Sequence, residues 1–88
     1  MANVTVEFLG IPRERAGCDQ LQISAKDVGK LLDALVERLP EFAAACLHGN
    51  SLRSEYLICV NGQKFTRDGS HPLSEGDEIL ILSADVGG

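Results

Sequence analysis

The sequence predicts an α+β domain, with one amphipathic helix laid on one face of a sheet of four or five strands. Three observations predict it. Residues 3–8, Asn-Val-Thr-Val-Glu-Phe, alternate polar and apolar with period two, as a half-buried strand does. Val28, Leu31, Leu32, Leu35, Val36 and Leu39 recur at helical spacing. Residues 56–60 and 78–82 are short apolar runs fenced by turn residues. A single helix covers a single sheet face, which is the layered α+β arrangement.

In the first strand Val4, Val6 and Phe8 share one face, and Thr5, Glu7 and Leu9 the other. Gly10 and Pro12 end it. Residues 13–17, Arg-Glu-Arg-Ala-Gly, read as a polar connection, with Gly17 suited to a turn of positive φ. Residues 19–24 alternate again with Leu21 and Ile23 inward, so the first two strands form a hairpin with a long charged loop. Ser24 and Asp27 offer N-caps to the helix, whose wet side takes Lys30, Asp33, Glu37 and Arg38. Gly29 costs up to about 1 kcal/mol relative to alanine, and less in a first turn. Pro40 stops the helix.

Residues 42–47 are apolar and alanine-rich, a short second helical turn leading into a loop at 48–51. Tyr56-Leu57-Ile58-Cys59-Val60 is apolar on both faces and is placed centrally. Asn61-Gly62 is the strongest short turn signal in the chain, and residues 63–66 start the return strand. Asp68-Gly69 turns again. Pro72-Leu73 opens a loop that closes at Glu75-Gly76-Asp77, and residues 78–82 make the last strand. The order is β-β-α-β-β-β. In that last strand Ile79 and Ile81 point one way, Leu80 and Leu82 the other. Only one pair can meet the helix. The other pair, with Leu9 or Phe8 beside it according to register, forms a candidate docking patch on the open face, unless the segment after the helix folds over it.

Eighty-eight residues make one domain with a thin core. No apolar run approaches the roughly 20 residues of a membrane span, and no basic-then-apolar leader opens the chain. A net charge of −5 without a basic patch argues against nucleic acid. It fits a protein partner with a basic face, although solubility accounts for the same number. Cys18, Cys46 and Cys59 are far apart, no CxxC occurs, and His48 and His71 are not at ligand spacing. No metal site is expected. The cysteines read as three reduced thiols of a cytoplasmic protein, with Cys59 in the core. The two histidines read as isolated loop residues, and no catalytic set emerges.

The chain finishes on Gly87-Gly88. A diglycine behind an apolar strand offers a main-chain carboxylate on a thread without side chains. Such a thread enters a channel too narrow for any other residue. Six steps separate Leu82 from Gly88, a reach of about 20 Å when extended.

Arg13-Glu14 followed by Gly17, then Asn61-Gly62, then Pro72-Leu73-Ser74-Glu75-Gly76-Asp77-Glu78 and the final Gly87-Gly88 together resemble the ubiquitin-like sulfur carriers. The resemblance covers essentially the whole chain. It is above all to the small subunit of molybdopterin synthase, the MoaD family, a cousin of the thiamin carrier ThiS, and the length favours the molybdopterin branch. It implies a β-grasp fold with a mixed sheet, residues 1–83 forming the domain and 84–88 a flexible tail. It implies that an E1-like adenylyltransferase uses ATP to adenylate Gly88, and that a sulfur donor then displaces AMP to leave a thiocarboxylate. The tail, Ala84, Asp85, Val86, Gly87 and Gly88, then enters a partner, the synthase large subunit or an equivalent sulfur acceptor. Leu9, Leu80 and Leu82 are expected to dock, and Arg13 to pair with an acidic group of the partner. A monomer that joins a hetero-oligomer, with no tightly bound cofactor, is expected.

The chain departs from the family pattern just before the diglycine. Ile81-Leu82-Ser83-Ala84-Asp85-Val86 stands where the molybdopterin carriers have two aromatics, two prolines and a small residue. Without prolines the tail is looser, and Asp85 adds a negative charge near the reacting carboxylate. Other readings therefore stay open: a sulfur carrier for thiamin, cysteine or transfer-RNA thiolation, a modifier joined to lysines, or a ubiquitin-like interaction domain without terminal chemistry. A β-grasp ferredoxin is excluded by the cysteine spacing.

Overall fold

The computed structural model describes residues 1–49 and 51–84. In chain order the elements are β1 (Ala2–Phe8), α1 (Ile11–Ala16), β2 (Gln20–Ala25), α2 (Val28–Arg38), α3 (Pro40–Cys46), β3 (Leu47–His48), β4 (Ser51–Leu52), β5 (Tyr56–Val60), β6 (Lys64–Thr66) and β7 (Glu78–Ser83). The main sheet has the order β2-β1-β7-β5-β6, and β3 pairs with β4 as a separate two-residue ribbon. β1 and β7 run parallel, and the other neighbours are antiparallel. The sheet is thus mixed, with all three helices among the described residues between its strands in sequence.

The period-two pattern of β1 buries Val4, Val6 and Phe8 completely or nearly so. The connection expected at 13–17 is instead the helix α1, and the first two strands are joined through it. Pro12 lies in the first turn of α1, where a missing N–H is one of the helix's unpaired donors anyway. Gly17 closes α1 in the left-handed region at φ 74°, its N–H donating to the Arg13 carbonyl.

α2 is the helix the periodicity predicts. Its first three N–H groups have no partner within the helix. Lys30 N–H donates to the Asp27 Oδ1 cap at 2.8 Å. The other two are taken from across the fold, Val28 N–H by the His71 carbonyl at 3.0 Å and Gly29 N–H by the Gly69 carbonyl at 2.7 Å. Gly29 therefore has a packing reason, since a Cβ there would stand 3.1 Å from the Gly69 oxygen. Val28, Leu31, Leu32 and Leu35 are buried, but Val36 is 39% exposed. At about 100° per residue Val36 falls roughly 80° from Val28, at the margin of the stripe.

Pro40 ends α2 and opens α3, a full seven residues rather than a single turn. Phe42 of α3 is wholly buried and meets Phe8 edge to face, centroids 5.1 Å apart. The core thus fills one side of the sheet, where Val6, Ile58, Ile79 and Ile81 meet Leu31 and Leu35. β5, expected at the centre, lies inside the sheet between β7 and β6. The middle place belongs to β7, because β1 adds to it in parallel on its other side. At the end of β5, Asn61 and Gly62 both take positive φ, 55° and 68°, as the turn signal requires.

Candidate docking face and tail exit

Residues opposite each other in register share a sheet face. Ile79 and Ile81 of β7 are buried against the helices, so Leu80 and Leu82 face the open side. Leu80 lies opposite Glu7 of β1 and Cys59 of β5, and Leu82 opposite Leu57. Cys59 in turn lies opposite Phe65 of β6. The open face is therefore divided. Over β7, β5 and β6 it carries Leu57, Cys59, Phe65, Leu80 and Leu82. Over β1 and β2 it carries Thr5, Glu7 and, opposite them, Gln22 and Gln20.

Leu9 continues the parallel pairing by one step, its N–H donating to the Ile81 carbonyl at 3.0 Å. It follows Glu7 by two positions, so alternation puts it on the same side, 45% exposed. The structure thus brings Leu9, Leu80 and Leu82 to one face. The segment after the helix does not cover it, because α3 packs on the opposite side through Phe42 and Phe8. Among the described residues the face stays open.

Two further residues belong to this face. Cys59 was expected in the core. It is buried at 5% exposure, yet it points away from the helices, between Leu80 and Phe65, and stands outside the core cluster. Phe65 is 59% exposed, the most exposed aromatic of the described chain. The available signal was its place in the hairpin opposite Cys59, in a strand of otherwise polar residues.

Arg13 sits on α1, which begins beside the end of β7, a Cβ on Gly10 lying 3.8 Å from Ser83 Oγ. Its Nε pairs with Asp19 Oδ1 at 2.7 Å, both side chains more than half exposed. An exposed pair of this kind is worth about 1 kcal/mol or less, so it yields readily to another acid.

At the upper end of the sheet Ser83 pairs with Tyr56. Ala84 makes one bond further, its N–H donating to the Glu55 carbonyl at 2.6 Å. Despite the absent prolines the chain is held up to this point. Asp85, Val86, Gly87 and Gly88 lie outside the described residues. Below the exit, Tyr56 and Cys46 are buried, and burial pushes both the phenol and the thiol above their ordinary values.

The opposite end of β7 is fixed by a polar clasp. Asp77 accepts from the Asn61 amide at 3.0 Å and from Ser74 N–H at 2.8 Å. Asn61 accepts from Glu78 N–H at 2.8 Å and donates its own N–H to the Glu78 carbonyl at 2.7 Å. The Asn61 amide, then the Ser74 N–H, hold the Asp77 carboxyl below its ordinary value. Glu75 accepts from Asn3 N–H at 3.0 Å. The Asn-Gly turn and the Ser-Glu-Gly-Asp-Glu stretch are therefore one structure, which sets where β7 begins and so which of its leucines face out. Among the described residues no group of three His, Cys, Asp or Glu gathers to hold a metal ion, and no helix is long and apolar enough to cross a membrane.

Parallel first and last strands at the centre of a mixed sheet, helices on one side and a half-apolar open face define a ubiquitin-like β-grasp protein. The ThiS family model matches residues 6–88, and the chain belongs to that family. No curated protein sequence matches it. Among solved structures it resembles small archaeal modifier protein 1 (SAMP1) from Methanosarcina acetivorans, at 28% identity and TM-score 0.83, over 100% of this chain and 98% of that one. It also resembles the complex of subunits 1 and 2 of the molybdopterin-converting factor from Helicobacter pylori 26695, at 26% identity and TM-score 0.70, over 98% and 99% of the chains. The BexX/CysO complex of Amycolatopsis orientalis, at 24% identity and TM-score 0.79 over 97% and 99%, shares the fold. The chain is thus of the sulfur-carrier and ubiquitin-like modifier class.

Proposed function

We propose that this chain is the sulfur carrier of molybdopterin synthesis, acting in the cytoplasm as the small subunit of a molybdopterin synthase. One observation carries the reading. The middle strand β7 both presents Leu80 and Leu82 on the open face and stands a few residues before the diglycine in the sequence. A partner that covers the face therefore receives the tail. The likeness to the H. pylori converting-factor complex supports the choice of pathway.

The reacting group in this reading is the Gly88 carboxylate, which is a poor electrophile until one oxygen becomes a leaving group. It attacks the α-phosphate of ATP inside an E1-like enzyme and releases pyrophosphate. A sulfur nucleophile then attacks the acyl carbon, and AMP departs with its bonding pair. With hydrosulfide as donor nothing is oxidised or reduced. Tethered as a thiocarboxylate, the sulfur reaches the acceptor at high effective concentration. Two such deliveries supply the dithiolene on cyclic pyranopterin monophosphate.

The test incubates the protein with an E1-like enzyme, ATP and sulfide, and weighs it. The expected product is heavier by the difference between sulfur and oxygen, with the change at Gly88. Mixed with a molybdopterin synthase large subunit and the pterin precursor, the loaded protein forms molybdopterin. Loading without product points to another sulfur acceptor, and no loading refutes the carrier reading. The 28% identity to the archaeal modifier favours a second reading, in which Gly88 joins to lysines. Conjugates in cell extract identify it.

A further inference from the structure

We propose that Arg67 is a positioning residue for the tail, through the loop that holds the base of that tail; this rests on the proposed role of Gly88. Arg67 follows β6, is exposed, and reaches across to the segment between β4 and β5. Its Nη1 donates to the Leu52 carbonyl at 3.4 Å. Its Nη2 faces the carbonyls of Arg53 at 3.2 Å, Ser54 at 2.9 Å and Tyr56. Four main-chain oxygens of one short loop converge on a single cation. Oxygens gathered this closely repel one another, and a planar, permanently charged fork is the side chain that satisfies several at once.

The one carbonyl of that stretch after Leu52 not turned to Arg67 is that of Glu55. It accepts the Ala84 N–H at 2.6 Å, the last bond before Asp85. Among the described residues the loop's other ties are Arg53 N–H to the Cys46 carbonyl at 3.0 Å, Tyr56 N–H to the Arg53 carbonyl at 3.1 Å, and the pairing of its two ends, Leu52 with Leu47 and Tyr56 with Ser83. Arg67 thus fixes the loop, the loop fixes Glu55, and Glu55 fixes where the tail departs. Without the clamp the carbonyls turn to water and Ala84 loses its anchor. Insertion of the tail into a partner then has more chain to order, which weakens association and leaves the chemistry at Gly88 untouched.

The experiment compares Arg67→Gln, Arg67→Lys and Ala84→Pro in the full chain. Amide hydrogen exchange is read at Ala84, with Val6 and Ile81 as core references. Arg67→Gln is expected to speed Ala84 exchange at least about tenfold, with the references unchanged, because charge-assisted bonds are lost. Arg67→Lys, which keeps the charge without the fork, falls between. In steady-state loading by an E1-like enzyme, Arg67→Gln raises KM for the carrier several-fold at constant kcat. Ala84→Pro, which deletes the N–H and leaves Arg67 in place, reproduces that rise. A merely structural role lowers the active fraction and leaves KM alone. Unchanged Ala84 exchange in a folded Arg67→Gln protein overturns the proposal, as does a fall in kcat at constant KM. If Arg67→Gln fails to fold, Arg67→Lys exchange and the Ala84→Pro KM decide in the same way. If the wild type accepts no sulfur, the functional reading fails by itself, and Ala84 exchange still judges Arg67.

Discussion

Replacing Phe65 by alanine separates docking from stability. A phenylalanine has roughly 200 Å² of surface to bury. With Phe65 59% exposed, about 120 Å² is free for a partner to cover. At about 25 cal/mol per Å² that area is worth about 3 kcal/mol at most. Ordering costs at an interface reduce this to about 1.5–2 kcal/mol, a rise in Kd of roughly 10- to 30-fold. On the folding side the covered remainder is small, and a compact unfolded chain discounts it further, so the stability loss is about 1 kcal/mol. Phe42→Ala is the contrast, because Phe42 is wholly buried against Phe8 and its removal costs about 3–5 kcal/mol. Calorimetric titration against a molybdopterin synthase large subunit, the proposed partner, and thermal melting read the two effects. Phe65→Ala should keep Tm within about 8 °C of wild type and lose affinity. Undiminished affinity, or a fall in Tm as large as that of Phe42→Ala, refutes the assignment of this face.

Gly29→Ala should lose about 1 kcal/mol in urea unfolding, against the usual helix preference for alanine, because its Cβ meets the Gly69 carbonyl oxygen at 3.1 Å. A gain in stability means the 68–72 loop gives way freely. Asp77 has a depressed pKa when folded, so its contribution is present above the ordinary carboxylate value and is lost as pH falls through the folded one. Asp77→Asn should therefore narrow the gap to wild type in acid, seen by melting at a series of pH values; a constant gap rules this out. Gly88→Ala should melt like wild type yet fail to transfer sulfur. A fully active variant excludes a narrow channel as the reader of the tail.

Much of this molecule is legible in the sequence where one periodicity acts alone. The alternation of Val4, Val6 and Phe8 fixes β1, the spacing of Val28, Leu31, Leu32 and Leu35 fixes α2, and Asn61-Gly62 fixes the turn it names. α1 was not legible, because Pro12 reads as a break although a first helical turn accepts proline. Cys59 shows the limit of period two. In a strand apolar on both sides, alternation gives two faces and leaves open which one meets the helices. Phe65 inherits that ambiguity through its pairing. Leu80 and Leu82 could be named together, but their neighbours depended on β1 joining β7 in parallel, a contact between residues some 70 positions apart. The anchor at Glu55 and the clamp from Arg67 are side-chain and main-chain meetings that no pattern in the sequence announces.

The place of β7 has a consequence for biosynthesis. Strands β1 and β5 touch each other only through it, so a ribosome must release residue 83 before the sheet can close. A copy cut short upstream of that point leaves β1–β2 and β5–β6 as two unjoined hairpins and lacks Ile79 and Ile81 from the core. Closure of the sheet is thereby tied to synthesis of the strand that stands nearest the diglycine in sequence.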